Sequence, residues 1–364
     1  MRHAAAALLA VALTAGMPAH AQQGGQSSRL LPLPSTGRGL TFGLHWDSDV
    51  YADVAGGSRR GYATDSVASA ALGLDTGKLG AWQGGTVQFG LQSITSTHPS
   101  AWVGDAQGVS NLEAPNRRQV SALWYAQDLG GAKVRGGIMD VNRFFAVTDA
   151  AGMLTNASFG ISPTLTLDAP TPTYPAPAWG LMARLGHPDN AWLLGLYEAD
   201  PEHRSTALRG GSYLIAERDW HRPATGSHVG VGAWYRRAGG TSPAPASDWG
   251  AYANLERDLP GLPGVKAFVQ FAASPSQVNA IPAYLGAGIH VSRVSSTVTQ
   301  LSFGMARAWI RGHTAETSVE ATALIPVGSA TGVALQPDLQ YVFHPSGVHP
   351  NALVLALRLH VALY

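Results

Sequence analysis

Cysteine is absent from all 364 residues, which removes disulfide frameworks and thiolate metal sites from consideration. Charge is scarce as well. Asp, Glu, Lys and Arg make up 13% of the chain, against about 25% in an ordinary soluble domain. The 24 basic and 23 acidic side chains nearly cancel, so there is no basic excess of the kind a nucleic-acid partner requires. No G-x-S-x-G elbow, H-E-x-x-H pair or P-loop occurs, and Gly230-Val231-Gly232 and Gly286-Ala287-Gly288 lack the third glycine of a dinucleotide fingerprint. The 13 histidines show no ligand spacing along the chain, so neither a metal nor a cofactor is expected. Beyond the N-terminus, no uninterrupted apolar run approaches the roughly 20 residues of a transmembrane helix.

What is present begins with an export pattern. Met1, Arg2 and His3 form a basic head, Ala4 to Ala15 an apolar run, and Ala19-His20-Ala21 a small-residue cleavage site. These are the parts of a secretory signal peptide, so residues 1–21 are expected to be removed near Ala21.

A chain poor in charge yet without spanning helices must distribute its apolar surface on alternate residues. Leu353, Leu355, Leu357, Leu359, Val361 and Leu363 share one parity, with Arg358 and His360 on the other. Val87, Phe89 and Leu91 oppose Thr86, Gln88 and Gln92; Leu335, Leu339, Tyr341 and Phe343 oppose Gln336, Asp338 and Gln340. Strand side chains alternate between faces, so each segment has an apolar and a polar side. Sixteen such segments can be placed: 39–46, 66–76, 84–93, 118–128, 133–141, 178–186, 191–199, 208–218, 226–237, 248–257, 264–273, 283–292, 298–309, 317–327, 332–343 and 351–364. Many are near the 9–11 or so residues that cross a bilayer at a tilt. The expectation is an all-β fold: a transmembrane antiparallel up-and-down β-barrel of sixteen strands over residues 39–364, preceded by a periplasmic segment at 22–38.

An even strand number puts both chain ends in the periplasm and makes long external loops alternate with short turns. The early long connections, 47–65, 94–117 and 142–177, fall on the external parity. The last of these carries Phe144, Phe145, Phe159 and Tyr174 and is read as a pore-constricting loop folded into the lumen, with a self-packed surface loop as the alternative. Asp140 and Asn142 stand at its start, where they can cap backbone turns or touch a solute.

Several motifs together resemble the OprB-type carbohydrate-selective porin family from about residue 40 to the end. KVRGGIMDVN at 133–142 resembles that family's strand running into its distinctive loop, and NASFG at 156–160 and PTYP at 172–175 are similar to the loop motifs that follow. GSYLIAE at 211–217, VGVGAWYRR at 229–237, LQPDLQYVFHP at 335–345 and VLALRLHV at 354–361 complete the order. The resemblance implies a water-filled barrel in the bacterial outer membrane through which small carbohydrates diffuse. Glu217 enters as a candidate through the GSYLIAE match, and Asn156 through NASFG.

Arg135, Arg184, Glu320, Asp338 and Arg358 fall on polar faces with Gln336 and Gln340, where they either contact solute hydroxyls or pair within the wall. With Glu217 they form the expected lining; Asp140, Asn142, Phe145, Asn156, Phe159 and Tyr174 form the expected constriction. The expected partners are small carbohydrates, outer-membrane lipids and the barrel-assembly machinery, with the oligomeric state left open. The alternative is a barrel for polysaccharide secretion or envelope assembly; a barrel enzyme ranks below it, since no catalytic motif occurs, and no enzyme activity is expected. Tyr364 falls on the opposite parity from Leu355 to Leu363, which calls for a bulge or makes it an extra residue. Parity alone predicts that Leu357→Arg impairs insertion far more than Arg358→Leu, since arginine near the bilayer midplane costs about 2–4 kcal/mol.

Overall fold

A computed structural model describes residues 39–166, 170–202, 204–239, 247–328 and 332–363. The signal segment, residues 22–38 and Tyr364 lie outside the described residues. The first strands are β1 (Leu40–Ala55), β2 (Gly61–Asp75), β3 (Gly85–Ser96), β4 (Arg117–Asp128) and β5 (Ala132–Met139). Next come β6 (Ala178–His187), β7 (Asn190–Glu198), β8 (Gly211–Arg222), β9 (Ser227–Ala238), β10 (Ser247–Asp258) and β11 (Val265–Ala273). The last are β12 (Ala283–Ser292), β13 (Gln300–Trp309), β14 (Glu316–Pro326), β15 (Val333–Phe343) and β16 (Ala352–Leu363). Each pairs antiparallel with its neighbours in sequence, and β1 pairs with β16 to close the barrel.

The burial pattern is inverted relative to a water-soluble protein. On β1, Phe42, Leu44, Trp46 and Val50 are exposed while Asp47, Asp49 and Asp53 are buried. On β13, Leu301, Phe303, Met305 and Trp309 point outward and Gln300 and Ser302 inward. On β16, Leu355, Leu357 and Leu363 are outside and Arg358 and His360 inside. An apolar exterior around a polar interior is stable when the surrounding solvent is hydrocarbon, and closure satisfies the backbone groups that an open sheet edge would leave bare. Among the described residues no helix is long and apolar enough to cross a membrane; the strands do so.

The segments read from alternation match the observed strands to within a few residues, with one clear departure. β1 runs on to Ala55, so the expected loop at 47–65 shrinks to the short connection 56–60. Asp47, Asp49 and Asp53 gave that stretch the look of a polar loop. They are lumen-facing residues at period two, interleaved with Ser48, Val50, Ala52 and Val54 on the other face.

The seam also changes the expectation for Arg358. Asp49 and Arg358 are direct cross-strand partners, and the guanidinium donates through Nε and Nη2 to the two carboxylate oxygens, each at 2.7 Å. Both side chains are 1% exposed. Removing one partner of a buried pair costs about 3–5 kcal/mol, comparable to a lipid-facing arginine. Arg358→Leu and Leu357→Arg are therefore both expected to lower the yield of folded, heat-modifiable barrel. Adding Asp49→Asn should restore the Arg358→Leu variant and leave Leu357→Arg unimproved; a failure to restore would remove the ion pair from the account of seam stability.

Candidate functional site

Two connections on the same rim, 97–116 and 140–177, turn into the lumen instead of spreading over it. A buried peptide N–H without a partner is costly, and side chains of the wall supply the partners. The Ala146 N–H donates to Glu217 Oε2 on β8 at 2.7 Å and the Ala150 N–H to Glu256 Oε2 on β10 at 2.8 Å. On β14, Glu320 accepts from the Asn156 N–H at 3.0 Å and, through its other oxygen, from the Thr155 N–H. Glu316 takes the Ala106 and Gln107 N–H groups of the other connection at 2.7 and 2.9 Å.

Wall amides meet the loop carbonyls. Gln336 donates to the Met153 carbonyl at 2.7 Å and Gln270 to that of Phe159 at 2.9 Å. Gln340 donates to the Val109 carbonyl at 2.8 Å and to Thr155 Oγ1 at 2.9 Å, so one side chain holds both connections. The Tyr174 hydroxyl ties them again by donating to the Leu112 carbonyl at 2.6 Å.

Apolar packing completes the attachment. Phe145, Leu154 and Phe159 join wall residues Tyr213, Trp234, Tyr252, Phe268 and Tyr284 in one buried cluster. Phe159 meets Phe268 edge-on, with ring centroids 6.1 Å apart, a favourable geometry for their quadrupoles. Gly304 on β13 makes room for it: a Cβ there would lie 2.6 Å from Leu154 Cδ1 and 2.7 Å from Phe159 Cζ. A glycine within a strand marks this sort of close approach.

The expected lining residues are distributed between the loop and the wall. Glu217, Glu320, Gln336 and Gln340 hold loop backbone, and Asp338 accepts from the Gln340 amide at 3.0 Å. Arg358 lies at the seam and also donates to Asn111 Oδ1 at 2.7 Å. The Arg135 guanidinium sits over the rings of Trp124 and Phe144, 4.6 and 4.1 Å from their centroids. Arg184 is apart from these, near the short-turn rim, against the Pro188 carbonyl at 2.6 Å and Asp219 at 3.3 Å.

Within the longer connection, Asp140 accepts from the Asn142 N–H and the Thr173 hydroxyl, both at 2.8 Å, and from the Tyr174 N–H at 3.1 Å. Burial pushes its carboxyl up from the usual range, and these donors together with Arg143 offset only part of that rise. Asn142 donates to the Phe145 carbonyl at 3.2 Å, and Asn156 donates to Ser318 Oγ at 3.2 Å and Gln340 Oε1 at 3.3 Å. Phe145 and Phe159 are fully buried. Glu256, Glu316 and Gln270 did not come forward from the sequence, although each is a polar residue on the lumen parity of its strand.

Between the two infolded connections lies a cavity of about 530 Å³, within the range of roughly 300–1,000 Å³ common to small-molecule sites. Gln107, Asn142, Ser158 and Tyr174 line it, and among the described residues its carboxylates are Asp105 and Glu113. Burial, Glu316 and Glu113 push the Asp105 carboxyl well above the ordinary range. Strand pairing also assembles two trios with metal-ligating side chains, His45, Asp47 and His360, and Asp219, His221 and His228.

Comparison with known proteins adds family and fold. A family model described as carbohydrate-selective porin, OprB family, matches residues 59–363. The high-pH structure of OprB from Pseudomonas putida is similar at a TM-score of 0.78 and 16% identity, covering 90% of this chain and 94% of that one. The low-pH structure of the same protein gives 0.60 and 14%, covering 90% and 93%. A mutant porin from Rhodopseudomonas blastica gives 0.53 and 11%, covering 89% and 100%. No curated protein matches the sequence. At these identities the structures speak for the fold.

The anchoring geometry leads to a direct test. Leaving a buried N–H unsatisfied costs about 1–3 kcal/mol, and Glu320 accepts from two consecutive peptide groups. Glu320→Ala is expected to release residues 153–157 from the wall, raising single-channel conductance and exposing this stretch to limited proteolysis while the barrel stays heat-modifiable. Unchanged conductance and unchanged cleavage would show that the apolar cluster alone holds the loop.

Proposed function

The chain belongs to the OprB family of carbohydrate-selective porins and is an outer-membrane porin of that kind; on this premise we propose how its lumen passes sugar. The observation that carries the reading is the cavity, with carboxyl, amide and hydroxyl groups in its lining, between two connections that the wall holds in place. A neutral sugar gives up water hydrogen bonds to enter a narrow passage and needs replacements. Carboxyl groups, amides and hydroxyls supply them. Asp105, Glu113, Asn142 and Tyr174 are suited to that exchange at the cavity.

The wall and the loop then divide the work. Glu217, Glu320, Gln336, Asp338, Gln340 and Arg358 set the loop's position, with Arg135 fixing Phe144 at its root. Asp140, Asn142, Phe145, Asn156, Phe159 and Tyr174 give the constriction its shape. Arg184 belongs to the periplasmic mouth. Conduction requires contacts loose enough for the solute to leave, so binding is weak and passage passive. The family and fold are those of a channel, and no catalytic step is assigned.

Export completes the proposal. Cleavage near Ala21 releases a mature chain whose residues 22–38 remain periplasmic and whose apolar exterior is solvated by outer-membrane lipid after insertion by the barrel-assembly machinery.

Purified protein in liposomes is expected to admit mono- and disaccharides in a swelling assay, with rates falling steeply for larger oligosaccharides. Liposomes that neither swell in these sugars nor conduct in planar bilayers would refute passive sugar passage.

A further inference from the structure

The seam that closes the barrel brings together three side chains that are far apart in the sequence. Asp47 on β1 and His360 on β16 are direct cross-strand partners, and His45 lies two residues before Asp47 on the same lumen face. His45 Nε2 is 2.9 Å from Asp47 Oδ2, and His360 Nδ1 is 2.6 Å from Asp47 Oδ1. One ligand atom from each of the three falls within 4.8 Å of the others.

The outer shell orients the ring of His360. Its Nε2 faces Gln336 Oε1 at 2.7 Å. The Gln336 amide is held in that orientation because its nitrogen donates to the Met153 carbonyl at 2.7 Å and to Thr322 Oγ1 at 3.0 Å. His360 therefore donates Nε2–H to an amide oxygen, which leaves Nδ1 as the ring atom that faces Asp47 and can coordinate a metal once the proton between them is displaced. Metal-ligating histidines are oriented in this way, with the far ring nitrogen donating to an acceptor.

We propose that His45, Asp47 and His360 form a lumen-wall site for a borderline divalent transition-metal ion such as Zn2+. Two imidazoles and one carboxylate suit Zn2+, Cu2+ or Ni2+, whereas Ca2+ and Mg2+ prefer oxygen donors throughout. The ion takes the place of the protons held between the two imidazoles and Asp47, which pass to solvent, and replaces those contacts with coordinate bonds of about 2.0–2.2 Å. His45 is partly open to the lumen, with 26% of its side chain exposed, so water or another ligand can complete the coordination. The nearby Arg358 charge is neutralised by its two-point contact with Asp49. Through Gln336, the site connects directly to the Met153 carbonyl of the constriction loop.

The second trio is a poorer host and serves as an internal control. Arg184 already occupies Asp219 at 3.3 Å. The His221 and His228 rings are stacked, with centroids 4.2 Å apart and planes within 3°, so their in-plane lone pairs run parallel instead of converging.

Isothermal titration of tag-free, detergent-solubilised protein with ZnCl2 tests the site, with EDTA reversal as a check on specificity. One saturable site is expected. Changing an outer-shell partner typically weakens a metal about 10–100-fold, so removal of a ligand by His45→Gln should weaken Zn2+ by more than about tenfold. His221→Gln should leave the affinity unchanged. His45→Gln retains a polar partner for Asp47, and heat-modifiability verifies that it folds. Absence of a saturable site, equal affinity in the wild type and His45→Gln, or loss only in His221→Gln would each overturn the proposal.

Discussion

The hydrogen bonds from buried loop N–H groups to wall carboxylates are the interaction on which the channel depends. An up-and-down barrel of sixteen strands encloses more space than its inward side chains fill, and a loop entering that space carries peptide groups that must be satisfied. Glu217 and Glu256 each accept from one N–H group of the infolded connections and Glu316 and Glu320 from two each, and Gln270, Gln336 and Gln340 donate to loop carbonyls. The acceptors come from β8, β10 and β14, so the loop is held across the lumen and not only at its own root. This explains how a connection of irregular backbone can act as a fixed constriction.

The same arrangement separates two demands that otherwise compete. Wall residues committed to the loop are unavailable for other contacts, and on the proposed function the solute meets the side chains that the loops present to the cavity instead. Positional accuracy resides in strands, whose geometry is rigid. Chemical character resides in loops, whose sequence is free to vary without disturbing the barrel.

Much of the fold was legible because bilayer and lumen impose a strict period of two on every strand. β16 shows the pattern in its purest form, alternating Leu with Arg358 and His360. The second half of β1 was missed because three aspartates within seven residues resemble a loop until their common parity is noticed. The anchors were harder to read. Ala146 and Glu217, or Gln340 and Val109, are joined only by the closed barrel, and no local spacing records such pairs. The histidines illustrate the same limit: His45 and His360 are near opposite ends of the chain and meet only through the register of β1 with β16.

That register has a consequence for how the chain completes itself. The seam joins the strands most distant in sequence, and contacts of that kind are slow to form. Asp47 faces His360 and Asp49 faces Arg358 when the strands are aligned. A displacement of two residues one way keeps an acid opposite Arg358, namely Asp47, but sets His360 against His45 and leaves Asp49 opposite Ala356; the other way sets His360 against Asp49 but Arg358 against Tyr51 and leaves Asp47 opposite Ala362. A displacement of one residue turns the arginine toward lipid. The first and last strands thus carry a two-digit combination, read electrostatically, of which a slip by two residues matches one digit and the native alignment both.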